Sequence, residues 1–375
     1  MAGIYIHIPF CKQACHYCDF HFSTSMKKKE EMIAAIIQEM HLRKEETDEV
    51  VETIYFGGGT PSVLSNEEID QILNAVYSLF EVIEHPEITL EVNPDDLSVE
   101  RIQQLAVSKI NRLSIGVQSF YDEDLQLMNR AHNATEAWNS LVEATKYFDN
   151  ISIDLIYGIP NLSMDKWKSN VQKALDLGIN HISTYALTVE PRTALATLIK
   201  NGKIDQPDDG NAHEHFLALI EMLENAGFVH YELSNFGKPN YYSKNNSAYW
   251  LGKKYVGIGP SAHSFDGTHR SWNVANNSLY IKDIQEGKLP SEVEELTVQD
   301  RYNEYVMTGL RTIWGVSLER IETEFGTNFK NYLLKEAQYY INKEQLQLEN
   351  NVLTTTVKGK FFCDGIASEL FVIDF

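Results

Sequence analysis

The sequence predicts an α/β protein: a partial (β/α)6 barrel followed by a smaller C-terminal helical domain of winged-helix type. Two observations carry this prediction. Six short β-rich runs alternate with helix-like segments in the first half of the chain, and such alternation is typical of a parallel sheet covered by helices. Polar residues gather at the carboxyl ends of these runs, where a barrel builds its site. An open doubly wound sheet is the alternative.

The first two runs each lead into a short motif. Ile4 to Ile8 precedes a cysteine-containing loop, and Thr53 to Phe56 precedes the glycines of Gly57 to Thr60. Ser65 and Glu68 predict a capping box at the start of the next helix. Four further runs are predicted to be strands of the same sheet: Ile88 to Val92, Arg112 to Val117, Ile151 to Ile156 and His181 to Leu187.

The chain divides into three predicted units. Residues 1–235 form the barrel, which ends with Phe228 to Phe236 as one more strand. Residues 236–290 are rich in Asn, Gly, Ser and Tyr, so we expect a loop-rich connecting segment that covers the barrel mouth. Residues 291–375 form the C-terminal domain of about three helices, followed by a hairpin across Asn350-Asn351.

Composition restricts the partners and the compartment. The 375 residues include 32 Lys and Arg against 53 Asp and Glu, a formal charge of −21. This charge repels phosphate backbones, so no nucleic-acid partner is expected. No apolar run is long enough to span a bilayer, so no transmembrane segment is expected. Four cysteines, three of them in one loop, fit a reducing compartment, and we expect the cytoplasm.

The loop after the first strand carries Cys11, Cys15 and Cys18 in the spacing C-x3-C-x2-C. Three thiols do not pair off as disulfides. Thiolates are soft ligands for soft metals, and three of them suit three irons of a [4Fe-4S] cluster. In clusters held by four cysteines every iron has a thiolate. The fourth iron here would therefore keep an open coordination position for chemistry.

A zinc site is the alternative for this loop. It would combine the three cysteines with one of His7, His16 or His21. Structural zinc ligands usually come as two separated pairs rather than one run, which favours the iron cluster. The fourth cysteine, Cys363, is predicted to be a buried thiol, because a lone cysteine usually packs as a small hydrophobe.

The cysteine spacing, with Tyr17 before the third cysteine, resembles the radical S-adenosylmethionine (SAM) enzymes. In that family the open iron chelates SAM, and an electron from the cluster cleaves SAM to a 5′-deoxyadenosyl radical. Five blocks in order resemble, more narrowly, the oxygen-independent coproporphyrinogen III oxidase family: Tyr5 to Cys11, Gly57 to Pro61, Glu91 to Pro94, Ser114 to Phe120 and Asp154 to Pro160.

This resemblance implies two sets of cofactor-binding residues. The first set would hold SAM on the cluster: Tyr5, Tyr17, Gly58, Gly59, Thr60 and Glu91. The second set matches positions that contact a second SAM in the oxidase: Gln118, Arg130, Asp154 and Ala186. Considered without the resemblance, the polar residues among them form a rim suited to a zwitterion, a ribose and an adenine. No catalytic residue is assigned.

Two departures favour another branch of the family. The oxidase has a further cysteine two places after the third, where this chain has Phe20, and a long N-terminal extension, whereas Cys11 stands near residue 1 here. The segments Cys15 to Phe20 and Tyr231 to Phe236 resemble instead the oxidase-like haem chaperones of HemW type. These proteins carry the cluster and SAM, and they bind haem for delivery to an acceptor.

The haem chaperones usually show a His-Asn-x-x-Tyr-Trp motif associated with haem binding. The corresponding segment here begins with Asn245 and ends with Tyr249 and Trp250. Asparagine is not a usual haem ligand. Either another residue such as His263 ligates the iron, or haem binds differently in this chain.

The resemblance therefore predicts a haem chaperone with a radical SAM core, an unidentified haem-acceptor protein, and an electron donor such as flavodoxin or ferredoxin. The alternative is an enzyme of porphyrin biosynthesis that decarboxylates coproporphyrinogen III without oxygen. A third function, radical SAM modification of RNA, is disfavoured by the acidic charge.

Overall fold

Strand and helix alternate through the first half of the chain, as predicted. A computed structural model describes residues 2–373. Six strands run parallel, and helices connect them. In chain order these elements are β1 (Ala2–Ile8), α1 (Lys29–Arg43), β2 (Val51–Gly58), α2 (Asn66–Leu79), β3 (Val82–Val92), α3 (Val99–Ala106), β4 (Arg112–Gln118), α4 (Asp122–Leu127), α5 (Ala134–Ala144), β5 (Ile151–Tyr157), α6 (Met164–Asp176), β6 (His181–Ala186), α7 (Ala194–Lys200) and α8 (Asp209–Asn225).

The capping box predicted at the start of α2 is confirmed. The Ser65 side chain accepts the backbone N–H of Glu68 at 3.2 Å. The Glu68 carboxylate in turn accepts the backbone N–H of Ser65 at 2.7 Å. Both bonds satisfy N–H groups that the first helical turn leaves without partners, so α2 begins where its sequence places it.

The prediction of a single strand over Phe228 to Phe236 is wrong. The structure has two short strands there, β7 (Val229–Glu232) and β8 (Asn235–Gly237). They pair antiparallel with each other, and β8 pairs antiparallel with β6. The side chain of Asn235 donates to the carboxylate of Glu232 across the turn. Local side-chain bonds of this kind favour a turn over continued strand.

The prediction of a loop over the following segment is also wrong. It contains α9 (Lys244–Trp250), β9 (Tyr255–Ile258), β10 (His263–Phe265), β11 (His269–Asn273) and α10 (Asn277–Gln285), and β12 (Ser291–Glu295) follows. β9 lies parallel beside β1 and gives the described chain a seventh parallel strand. Strands of three to five residues carry too little periodicity to be recognised, and pairing with β1 is a long-range contact.

The large sheet is open at both ends. Its order is β12-β11-β10-β9-β1-β2-β3-β4-β5-β6-β8-β7, and the two outermost strands are not paired with each other in the described residues. Because β1 to β6 lie side by side in chain order, without the reversal of a doubly wound sheet, the predicted partial barrel is confirmed. The segment expected to cover its mouth lengthens the sheet beside β1 instead.

A buried carboxylate attaches this added edge to α1. Glu39 is fully buried and accepts the N–H of Gly259 at 2.8 Å, the amide of Asn273 at 2.7 Å and the hydroxyl of Tyr280 at 2.5 Å. A buried charge is tolerated when it is hydrogen-bonded on all sides. One residue of α1 thus holds three separate parts of the later segment.

The C-terminal unit consists of α11 (Val298–Leu310), β13 (Val316–Ser317), α12 (Leu318–Glu324), α13 (Thr327–Asn342), β14 (Leu346–Glu349), β15 (Val352–Thr355), α14 (Val357–Lys360) and α15 (Cys363–Glu369). Its sheet has the order β13-β15-β14. The predicted hairpin is confirmed, with Asn350 and Asn351 at φ of 50° and 61°, as tight hairpin turns require. Cys363 is buried, as predicted.

Two hydrophobic cores support these units. The larger core contains residues from Ile4 to Ile284, and the smaller contains residues from Tyr302 to Val372. Leu233, in the turn between β7 and β8, packs against both. The barrel and the C-terminal unit therefore each have their own core, and they meet at this hairpin and where Phe361 packs on His213 and Phe216 of α8.

Candidate cluster and cofactor site

The carboxyl ends of β1 to β6 surround a cavity of about 430 Å³, which we call the cluster cavity. Cys11, Cys15 and Cys18 line it. Nine of the ten predicted cofactor-binding residues line it as well: Tyr17, Gly58, Gly59, Thr60, Glu91, Gln118, Arg130, Asp154 and Ala186. Tyr5 does not, and its ring lies on β1, stacked on Tyr55 with centroids 6.1 Å apart.

Backbone bonds attach the glycine loop after β2 to the chain that enters the cysteine loop. The N–H of Gly59 donates to the carbonyl of Ile8 at 2.9 Å, and the N–H of Thr60 donates to that of Phe10 at 2.7 Å. A Cβ at Gly59 would lie 2.7 Å from both carbonyl oxygens. Only glycine allows this close approach, so the triple glycine has a structural role here.

The three thiols lie in a half-buried position with few charges to stabilise them. Burial raises the pKa of Cys11 to about 11. The hydroxyl of Thr60 donates to the sulfur of Cys11 at 3.4 Å, and Arg130 donates to that of Cys15 at 3.4 Å. Coordination to a metal deprotonates such thiols outright. Three convergent soft donors therefore fit an iron–sulfur cluster.

The zinc alternative finds little support in the geometry. Within residues 2–373, no group of three or more His, Cys, Asp or Glu side chains is arranged to hold a single metal ion. The three histidines considered for zinc are hydrogen-bonded elsewhere: His7 to the carbonyl of His21 at 3.0 Å, His16 to the carbonyl of Leu127 at 2.8 Å, and His21 to the side chain of Asn277 at 2.7 Å.

Arg130 lines the cavity and connects the cysteine loop with β4 and with the residue that follows β3. Besides Cys15, its guanidinium donates to the side chain of Asn93 at 2.7 Å and to the carbonyl of Gly116 at 2.8 Å. Its Nε atom is buried without a partner in the described structure. The sequence did not assign Asn93 to the site, although its position at the end of the third strand was the available cue.

Two carboxylates lie on neighbouring parts of the wall. Burial raises the pKa of Glu91 to about 7, against the hydrogen bond that Tyr55 donates to it at 2.8 Å. Burial also raises the pKa of Asp154 to about 6, although Arg112 and Arg130 act to lower it. A positively charged ligand group would favour the ionised form of both acids.

Arg112 does not line the cavity, but its charge acts to lower the pKa of both acids. This residue is fully buried at the start of β4. Its one sequence cue is a charged residue at the head of an otherwise apolar run. Gln118, at the other end of β4, has a φ of 68° and is buried. Non-glycine residues in this conformation are strained and cluster at functional sites.

The four haem candidates do not come together in one place. Asn245 is buried, with its N–H bonded to Glu87 and its side-chain oxygen accepting the hydroxyl of Thr53 at 3.0 Å. Thr53 lies near the amino end of β2, so Asn245 is at the end of the barrel opposite the cysteine loop. His263 lies on β10 and does not line the cluster cavity.

Tyr249 and Trp250 line a second cavity of about 620 Å³. We call it the interdomain cleft, because its walls come from α9 and the strands β9 and β11 on one side, and from α11 and α12 on the other. It shares no lining residue with the cluster cavity.

Comparison with known families agrees with this geometry. Residues 5–174 match the radical SAM superfamily, and residues 296–362 match the HemN C-terminal domain. With three thiols at the strand ends of a partial barrel, these matches define the class as radical SAM proteins, and that family implies a [4Fe-4S] cluster and SAM. The resemblance noted in the sequence is thereby confirmed.

Curated relatives identify the branch. The protein named heme chaperone HemW of Bacillus subtilis is 33% identical over 365 residues, which cover 96% of this chain and 96% of the relative. Its namesake of Lactococcus lactis is 34% identical over 372 residues, which cover 99% of this chain and 97% of the relative. The chain belongs to the heme chaperone HemW family.

A solved structure extends the likeness of fold to the whole chain. The coproporphyrinogen III oxidase HemN of Escherichia coli superposes with a TM-score of 0.85, covering 99% of this chain and 90% of that one. The two are 22% identical, so this likeness concerns the fold. Among residues 2–373, no helix has the length and apolar character needed to cross a membrane.

Proposed function

We propose that this protein is a haem chaperone, which binds haem and transfers it to an acceptor protein, and that it does so on a radical SAM core. The observation that carries the proposal is the similarity to curated heme chaperones over almost the whole chain. The oxidase alternative has weaker support, because the solved oxidase shares the fold at 22% identity.

Cys11, Cys15 and Cys18 would hold the [4Fe-4S] cluster, which supplies an open iron and an electron to bound SAM. Gly58 and Gly59 line the cavity beside the cysteines, and their lack of side chains lets the glycine loop pack directly on His7 and on the carbonyls of Ile8 and Phe10. The hydroxyl of Thr60 and the guanidinium of Arg130 donate hydrogen bonds to two of the sulfurs. Such bonds stabilise negative charge on the thiolates.

The carboxylates of the cavity would orient SAM. Glu91 lines the cluster cavity and would accept from the SAM ammonium, and Tyr17 and Thr60 line the same cavity. Tyr5 would act indirectly, by packing against Tyr55, which holds Glu91. The residues assigned to a second SAM are Gln118, Arg130, Asp154 and Ala186, and all four line the same cavity.

The remaining parts of the proposal concern haem and partners. Haem would be bound near Tyr249 and Trp250, whereas Asn245 has its polar groups engaged in the barrel. An electron donor such as flavodoxin or ferredoxin would reduce the cluster, and a haem-requiring protein would accept the haem. The reducing conditions that free thiolates need fit the cytoplasm.

An anaerobic haem titration tests the function. Cluster-reconstituted protein would be titrated with haem and followed by absorption, in parallel with an assay for protoporphyrinogen formation from coproporphyrinogen III, SAM and a reductant. Saturable one-to-one haem binding without porphyrinogen turnover is the expected result. An intact cluster with no haem binding would contradict the chaperone function. Formation of protoporphyrinogen would favour the oxidase function instead.

A further inference from the structure

We propose that haem is held in the interdomain cleft, with Arg301 binding a haem carboxylate and with Tyr305 or Met307, rather than a histidine, as the axial ligand. This inference rests on the proposed function and adds to it the location and the chemistry of the haem site.

The cleft has the size that a cofactor needs. Its volume is about 620 Å³, within the range of roughly 300–1,000 Å³ in which ligand cavities fall. The cluster cavity has about 430 Å³ and is lined by the residues assigned to the cluster and SAM. A protein that carries haem together with these cofactors needs a second site, and the cleft is separate from the first.

The walls of the cleft are aromatic on both sides. Tyr249 and Trp250 come from α9, and Tyr305 and Phe325 come from the C-terminal unit. Tyr249 is also fixed edge-on against Tyr255, with ring centroids 4.6 Å apart. Aromatic side chains give a flat apolar ligand a large contact area and defined stacking geometry, which suits the porphyrin plane.

The charges of the cleft leave one guanidinium without a partner. Arg270 is paired with Glu304 at 2.9 Å, and Arg320 is paired with Glu324 at 2.8 Å. The Nε atom of Arg301 is buried without a hydrogen-bond partner in the described part of the chain. Because the Nε atom is shielded from solvent, a carboxylate in the cleft would pair with the terminal nitrogens of this guanidinium, and haem carries two carboxylates.

The lining residues restrict the axial ligand. Within residues 2–373, neither histidine nor cysteine lines the cleft. Tyrosine and methionine are among the residues that ligate haem iron, and Tyr305 and Met307 both lie on α11. The oxygen of Tyr305 accepts the N–H of Ser317 at 2.9 Å, and the guanidinium of Arg320 lies 4.1 Å from its ring centroid. Both contacts fix the position of the Tyr305 ring at the wall of the cleft.

Haem titration of cluster-loaded, full-length variants tests the location. Arg301→Gln removes the free cation and should weaken haem binding by about 10- to 100-fold, the range of a hydrogen bond to a charged group. Thr308→Phe places a ring in the cleft and should abolish saturable binding. Lys168→Gln removes an exposed charge outside both cavities and should bind haem as the unmodified protein does.

Iron content and circular dichroism should be unchanged in all three variants, which shows that they fold and retain the cluster. If the unmodified protein binds haem and both Arg301→Gln and Thr308→Phe bind it equally well, the cleft is not the site, although the chaperone function stands. If the unmodified protein binds no haem, the function and the location both fail.

The ligand is tested by spectroscopy of the bound haem. Tyr305→Phe or Met307→Leu should change the absorption and electron paramagnetic resonance spectra of the haem, and His263→Ala should leave them unchanged. A histidine-type spectrum that is lost in His263→Ala would overturn the ligand assignment.

Discussion

The cluster cavity and the interdomain cleft differ in how they are built. The cavity is formed by consecutive strand ends, and backbone hydrogen bonds fix its cysteine loop to the glycine loop. The cleft is formed by two segments from separate units, α9 and α11, and its walls are joined by side chains. The proposed cluster site is thus part of the sheet, whereas the proposed haem site lies between the two units.

Side-chain contacts join the two units at the cleft, while the ring of Phe361 packs on His213 and Phe216 elsewhere in the junction. Arg270 pairs with Glu304, both partly exposed. The guanidinium of Arg311 lies over Trp250 at 5.1 Å from the ring centroid. Beneath them, the N–H of Ile313 donates to the carbonyl of Tyr231 at 3.0 Å. The Arg270–Glu304 pair at the cleft is partly exposed to solvent, so the comparison predicts large effects of changes in the cavity and small effects in the cleft.

The largest effect is expected from losing a cluster ligand. Cys15→Ser should abolish cluster assembly, because two thiolates remain for a site that uses three. Iron and sulfide analysis after reconstitution measures the loss. Cys363→Ala is the matched control, since Cys363 is a buried thiol in the other core, and it should keep full iron content. Equal iron in the two variants would contradict the cluster assignment.

The next effect concerns the contact between the two loops. Gly59→Ala should destabilise the protein by about 1–3 kcal/mol, the usual cost of overpacking, because the added carbon meets two carbonyl oxygens at 2.7 Å. Urea unfolding measures this change. In Gly365→Ala the new carbon meets nothing within 4 Å, so stability should stay equal or rise slightly. Similar urea midpoints for both variants would show that the two loops move apart at little cost to accept the added carbon.

A smaller effect follows from the acids of the cavity wall. Burial raises the pKa of Glu91 from 4.5 to about 7. An acid with a raised pKa in the folded state contributes stability below its unfolded pKa and loses it as pH rises through the folded value. The ligand-free protein should therefore lose stability between about pH 4.5 and pH 7.

Glu91→Gln should flatten this decline, which thermal unfolding across the pH range would measure. Because an ammonium favours the ionised carboxylate, SAM should bind more tightly as pH rises through the same window. An unchanged pH profile in the variant would assign the decline to another group.

The smallest effect is expected at the cleft. Arg270→Gln breaks an ion pair whose side chains are 36% and 33% exposed. Exposed pairs contribute about 0–1 kcal/mol, so the free energy of unfolding should fall by less than about 1 kcal/mol with iron content unchanged. A loss as large as that of Gly59→Ala would mean that the cleft is held as rigidly as the cavity.

Much of the cavity was predictable because its residues follow recognisable strands. Cys11, Cys15 and Cys18 were found from spacing, and Glu91 and Asp154 from their positions on the strands. Tyr5 was assigned from resemblance, but it is absent from the cavity lining, because it lies on β1 before the strand reaches its carboxyl end. Asn93 was not assigned to the site although it follows a predicted strand, and Arg112, a single charged residue beneath the cavity, carried no pattern.

The sequence by itself determined the alternation of strand and helix, the helix cap at Ser65, the hairpin at Asn350 and Asn351, and the cluster loop. These features depend on local periodicity, turn chemistry and residue spacing, which neighbours in the chain define. The tertiary structure alone decided the seventh parallel strand, the burial of Asn245 and the existence of the interdomain cleft. Each of these depends on partners far apart in the chain, and the free energy of such contacts is fixed only when the units pack together.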